Sequence, residues 1–176
     1  MLKPLTVLLA ALAAGAVAAE PLEDALRSLE AGRHGQAVQM LLPLANGGNA
    51  LAQYRLGNLY FHGQGVPEDE KMAVFWWKKA AAQGSSEAMF QIASAFLFGI
   101  QAAKSVTDPD REAATWYFQA ASAGHSEAQY HLGLLFLAGK GVLESRPEAA
   151  RWFRKASDQG HLEARRALAG LEKNPR

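Results

Sequence analysis

The sequence predicts an all-α fold, a right-handed α-solenoid of about nine helices in stacked hairpins with no strand. Three observations predict it. One pattern is written three times: Ala52, Ala73, Trp76, Ala80 and Gly84 recur in order as Ala88, Ala113, Trp116, Ala120 and Gly124, then as Ala128, Ala149, Trp152, Ala156 and Gly160. Trp76 to Trp116 is 40 residues and Trp116 to Trp152 is 36, a period that marks small units unable to bury an apolar face alone. The first helix of each unit is apolar on two sides, and the two ends of the chain are degenerate or polar versions of the unit, as caps must be.

Residues 1–19 read as a secretory signal peptide. Lys3 opens a short basic region, Leu5 to Val17 is almost wholly apolar, and Ala16-Val-Ala18 or Val17-Ala-Ala19 supplies small residues for cleavage. The run is short for a spanning helix and is followed by Glu20, Glu23 and Asp24, so no stable membrane insertion is expected after cleavage. The expected location is the periplasm, or outside the cell. With no cysteine in the chain, neither a lipid-modified Cys nor a disulfide can hold it. Loss of Lys3 leaves 17 basic and 17 acidic side chains, and with no basic stripe nucleic acid is not an expected partner.

Residues 20–48 form an N-terminal capping hairpin, Pro21 to Ala31 and Gly35 to Ala45, with Ala37 and Gly48 each 36 residues before Ala73 and Gly84. Repeat 1 (49–84) has a helix A from about Asn49 to His62, a turn Gly63-Gln-Gly-Val-Pro67, and a helix B from about Asp69 to Gln83. Pro67 sits just ahead of helix B where its missing N–H costs little, and Glu68, Asp69 and Glu70 complement that helix's positive end. Gly84 closes it as a residue free to take positive φ. On helix A, Ala52, Leu56, Leu59, Tyr60 and Gly63 share one stripe, while Tyr54, Phe61 and in part Gly57 share a second, so the helix is sandwiched.

The same residues recur as Phe90, Ile92, Phe96 and Leu97 in repeat 2 (85–124) and as Tyr130, Leu132, Phe136 and Leu137 in repeat 3 (125–160). Small Ala80, Ala120 and Ala156 let helices approach, and Trp76, Trp116 and Trp152 are expected to fill the space between layers. Residues 161–176 hold a capping helix from about Leu162 to Leu171 and a tail. Arg166 stands where Tyr54, Phe90 and Tyr130 stand, so the outer face has become polar.

These residues resemble the Sel1-like repeat family, relatives of tetratricopeptide repeats with a longer, Gly-rich turn. The match is Ala-x-x-x-Leu-Gly-x-x-Tyr at Ala52 to Tyr60, Gly-x-Gly-Val at Gly63 to Val66 and Gly139 to Val142, and Ala-x-x-Trp-x-x-x-Ala-Ala-x-x-Gly at Ala73 to Gly84. It covers about Gly48 to Gly170. Repeat 2 departs from it, reading Gly99-Ile-Gln-Ala-Ala-Lys-Ser-Val106 with four extra residues, either a binding rim or a tolerated loop insertion. The resemblance implies recognition of other proteins, and exported bacterial members look like scaffolds, inhibitors or immunity-type binders of toxic effectors. Cysteine-rich members are associated with penicillin binding or weak β-lactam hydrolysis, and this chain lacks their cysteines.

No catalytic signature accompanies the repeats. Ser-x-x-Lys, Gly-x-Ser-x-Gly, His-Glu-x-x-His, a P-loop and a dinucleotide fingerprint are all absent, and thiol catalysis is excluded. No cofactor or metal is expected: His125 and His161 share the slot after Gly124 and Gly160, where they read as caps or exposed spacers, and His34, His62 and His131 have no His partner at i+4. Glu87, Glu127 and Glu163 recur in the first turn of helix A, as the helix dipole favours.

The candidate site is the sector of helix A left open by packing: Arg55, Asn58 and His62 in repeat 1, Gln91, Ser94 and Phe98 in repeat 2, His131 and Leu134 in repeat 3. Lining the concave side, this mix of polar and apolar groups suits another protein or an extended peptide segment. The expectation is a monomeric, non-enzymatic periplasmic binder, an inhibitor or immunity protein in its most specific form. An envelope assembly or signalling adaptor, a peptidoglycan- or β-lactam-directed hydrolase and a secreted adhesin are the alternatives.

Overall fold

The computed structural model describes residues 21–99 and 106–173. The expected leader at 1–19 and nearly all of the expanded turn of repeat 2 lie outside the described residues. Those described contain nine helices and no strand: α1 (21–30), α2 (His34–Asn46), α3 (Ala50–Phe61), α4 (Glu70–Ala81), α5 (Ser86–Leu97), α6 (Pro109–Ser122), α7 (Ser126–Ala138), α8 (Arg146–Asp158) and α9 (Leu162–Lys173). The fold is an all-α solenoid of helical hairpins. Two compact units divide within α4, one ending at Ala73 and the other beginning at Val74.

In the first unit, a two-residue junction ends one helix and starts the next. Gly48 takes φ +93° and donates its N–H to the Ala45 carbonyl, and the Asn49 N–H reaches the Leu44 carbonyl at 3.0 Å. The orphan carbonyls of α2 are thereby satisfied. The Asn49 side chain then accepts the Ala52 N–H at 2.9 Å, capping α3.

The second unit repeats this device three times. Ser85, His125 and His161 donate backwards to Ala80, Ala120 and Ala156, and each caps the helix that follows by accepting from Ala88, Ala128 and Ala164. The slot after the glycine is thus a cap in every repeat, His125 and His161 included.

The second glycine of each Gly-x-Gly turn permits contact between neighbouring hairpins. In the first unit Gly65 has φ +75°, and a Cβ built there would lie 2.5 Å from the backbone of His34 and Gly35. Gly63, expected on the apolar stripe of helix A, instead lies exposed beyond its end at φ +61°, because the turn needs its left-handed backbone.

The Trp positions also need correction. Trp76 and Trp152 are buried, but Trp116 is half-buried and its indole N–H donates to the Glu112 carboxylate at 2.8 Å. The deepest large side chains of the second unit come one residue later, at Trp77, Tyr117 and Phe153. In the last of these the ring faces Gly133, where a Cβ would sit 2.5 Å from Phe153 Cε1. The Leu-Gly pair of helix A is therefore a shape requirement: the missing side chain admits an aromatic ring.

Candidate docking faces

In the first unit the structure gathers Arg55, Asn58 and His62 around a cavity of about 240 Å³ shared with Leu29, His34 and Gln64. One turn of helix separates successive members of the trio, so all three project from the same side of α3. The Arg55 guanidinium lies 5.6 Å from the Tyr54 ring centroid, and its Nε is buried with no hydrogen-bond partner. A buried donor of this kind is costly to leave unpaired.

In the second unit Ser94 and His131 meet at a residue outside the expected set, Tyr117 of α6. The Ser94 and Tyr117 hydroxyls are 2.9 Å apart, and the His131 ring stacks on Tyr117 with centroids 5.3 Å apart and planes at 9°. Burial holds the Tyr117 hydroxyl above its ordinary pKa, opposed by the Ser94 bond. Gln91 is half-buried on α5, Leu134 is exposed on α7, and Phe98 stands 79% exposed at the C-terminal end of α5. The expected residues thus divide into Ser94 and His131, joined through Tyr117, and a more open apolar pair, Phe98 and Leu134.

Glu127 organises more than the dipole argument gave it. One carboxylate oxygen lies 3.4 Å from His131 Nε2 and the other 2.9 Å from His161 Nε2, so α7 and α9 share it. His125 stacks on Phe90 with centroids 4.7 Å apart. Burial lowers the pKa of both His125 and His131 against the opposing pull of nearby carboxylates. The Glu127 and His131 pairing is legible as an i,i+4 spacing, whereas the approach of His161 across 34 residues is a tertiary fact.

Two further features escaped the sequence. Gln53 and Gln129, each 4% exposed, turn their amides back to the Ala45 and Ala121 carbonyls at 2.9 and 3.0 Å, tying helix A to the end of the preceding helix B. On α6 and the turn after α7, Arg111, Phe118, Val142 and Leu143 border an apolar cavity of about 580 Å³, with Leu143 89% exposed.

Among the described residues no group of three or more His, Asp or Glu side chains converges to hold a metal ion. The Nδ1 atoms of His125 and His161 accept backbone N–H groups, the Nε2 atoms of His131 and His161 face Glu127, and the Ser94 hydroxyl faces Tyr117. These polar groups hold elements together.

The Sel1 repeat family model matches residues 50–85, 86–125 and 126–161. A Sel1 repeat protein from Oxalobacter formigenes is 28% identical with a TM-score of 0.80, over 88% of this chain and 62% of that one. A protective antigen present in uropathogenic Escherichia coli strains, displaying an SLR fold, is 28% identical with a TM-score of 0.73, over 78% of this chain and 29% of that one. The chain therefore spans less than two thirds of either structure. The Helicobacter pylori cysteine-rich protein B, 20% identical over 82% of this chain and 95% of that one with a TM-score of 0.55, is alike in fold. No curated protein matches. With three consecutive matches covering more than half of its residues, this chain belongs to the Sel1 repeat family, whose members are protein-interaction scaffolds.

Proposed function

We propose that this chain is an exported, non-enzymatic binder that docks a protein segment on the open helix A sectors, and that its partner is a toxic effector it neutralises. The observation that carries the binding reading is the Arg55 sector, where Arg55 lines a cavity of about 240 Å³ with Asn58 and His62. A partner's backbone carbonyl or carboxylate would pair with the Arg55 guanidinium. In the second unit the exposed Phe98 and Leu134 would receive apolar side chains of a bound protein. Export is supported by the leader-like residues 1–19, and the proposed encounter is periplasmic.

Mild crosslinking in the native envelope, followed by mass spectrometry beside an Arg55/Gln91/Phe98 triple-alanine control, tests this reading. One enriched protein lost in the control supports it, and a toxin among the captured species distinguishes an inhibitor from an envelope adaptor. Partners retained by a folded triple variant would place binding elsewhere. Cell fractionation tests the compartment, and a stoichiometric Ser adduct with a labelled β-lactam would replace the binder with an enzyme.

A further inference from the structure

We infer that His125, His131 and His161, gathered around Glu127, form an acid-sensitive latch in the second unit: protonation withdraws the caps from the first turns of α7 and α9 and loosens that end of the array. The inference stands on geometry independent of the binding reading. Four helix A starts share the slot after glycine, and two of them use caps that do not titrate near neutrality, Asn49 and Ser85. The other two use imidazole nitrogens, His125 Nδ1 accepting from Ala128 and His161 Nδ1 accepting from Ala164, each at 3.2 Å.

An imidazole that accepts at Nδ1 carries its proton on Nε2, and a second proton turns Nδ1 from acceptor to donor. The backbone N–H then loses its partner. For His161 a replacement is at hand, since Glu163 Oε2 lies 3.4 Å from Nδ1 and can accept a hydrogen bond from the new N–H while Nε2 goes on donating to Glu127. Such a swap keeps the imidazolium paired and leaves the Ala164 N–H orphaned.

His125 faces Glu87 of α5 and Glu127 of its own helix, stacked on Phe90, and burial outweighs both carboxylates. His131 faces Glu127, with His161 and His125 close enough for their charges to oppose its own and Tyr117 of α6 against its ring. A charge on His125 or His161 thus raises the cost of charging His131. Glu127 is shared by two of them, so its clasp cannot follow both as they charge and move. His131 also belongs to the proposed docking sector, which would couple that face to pH.

Amide hydrogen exchange followed by NMR on the folded protein, from pH 7.5 to 5, tests the latch against its internal controls. Protection factors, corrected for intrinsic exchange, should fall about tenfold at Ala128 and Ala164, the size of one helix cap, while Ala52 and Ala88 hold steady. His125→Asn, which installs the cap used at Asn49, should keep Ala128 protected at pH 7.5 and flatten its pH response. Flat protection at Ala128 and Ala164 in the parent, equal loss at all four amides, or an unchanged response at Ala128 in His125→Asn would each overturn the latch.

Discussion

Gly141 passes so close to Asp110 that a Cβ built on it would lie 2.2 Å from the Asp110 carbonyl oxygen. Its φ of +69° adds a second reason for glycine, and the obstacle is backbone, which cannot rotate away. Lys140 pairs with the Asp110 carboxylate at 3.3 Å beside the same contact. The turn of repeat 3 is therefore fitted against the first residues of α6. Gly141→Ala should cost more than about 2 kcal/mol, from left-handed strain plus displacement of the turn. Gly124→Ala, with φ +94° but open space around it, isolates the strain and should cost about 1 kcal/mol. Urea unfolding of the two variants side by side checks the difference.

Gln129 is the staple between successive hairpins in the second unit, donating to Ala121 and accepting from Gln159 at 2.8 Å. Replacing it with Leu keeps the volume but strands a buried carbonyl, so Gln129→Leu should lose about 1 to 3 kcal/mol. Gln119→Leu on the exposed side of α6 should stay within about 0.5 kcal/mol. Equal denaturation midpoints for the two would remove Gln129 from the scaffold's stability.

The array itself was legible because its signals are local. Glycines in phase, acidic helix starts and a 3.6-residue apolar period each act within one turn of chain, and α1 to α4 and α9 begin and end within a few residues of where these place them. Non-local matters were hidden. Nothing in the string shows that Tyr117, rather than its neighbour Trp116, points inward, since both are large aromatics and only the facing helices decide. Gln53 reads as a surface residue because its partner is a carbonyl present in every sequence. The open helix A sector was half legible. Arg55, Asn58 and His62 share a cavity as their spacing implies, while Ser94 and His131 are drawn to a tyrosine on another helix.

Tyr117 and Trp116 make the inward residue testable. Tyr117 is fully buried among Ala93, Ala120 and Leu132, so Tyr117→Ala should cost about 3 to 5 kcal/mol by opening a cavity. Tyr117→Phe keeps the ring and loses the Ser94 bond, for about 1 kcal/mol. Trp116→Ala removes a half-buried ring and should cost about 1 to 3 kcal/mol. Thermal or urea unfolding that ranked Trp116→Ala above Tyr117→Ala would reverse the assignment of the inward side chain.

Stability should fall in two acid steps with different owners. His125 and His131 have folded pKa values held below the ordinary 6.5, chiefly by burial, so the folded chain binds fewer protons than the unfolded chain. Their contribution is complete above pH 6.5 and is lost as pH falls through the folded values. Glu87 sits below its ordinary 4.5, chiefly through its backbone hydrogen bond and then the Ser85 hydroxyl, so its contribution is complete above pH 4.5 and disappears as pH falls through its folded value. Urea midpoints measured every half unit from pH 8 to 3 should therefore show a first decline below 6.5 and a second below 4.5. In His125→Asn the first decline should shrink while the second stays, because the Asn cap does not titrate. Glu87→Gln should reduce the second and leave the first standing, since burial, not Glu87, holds both imidazoles down. A first decline of full size in His125→Asn/His131→Gln would assign it to other groups.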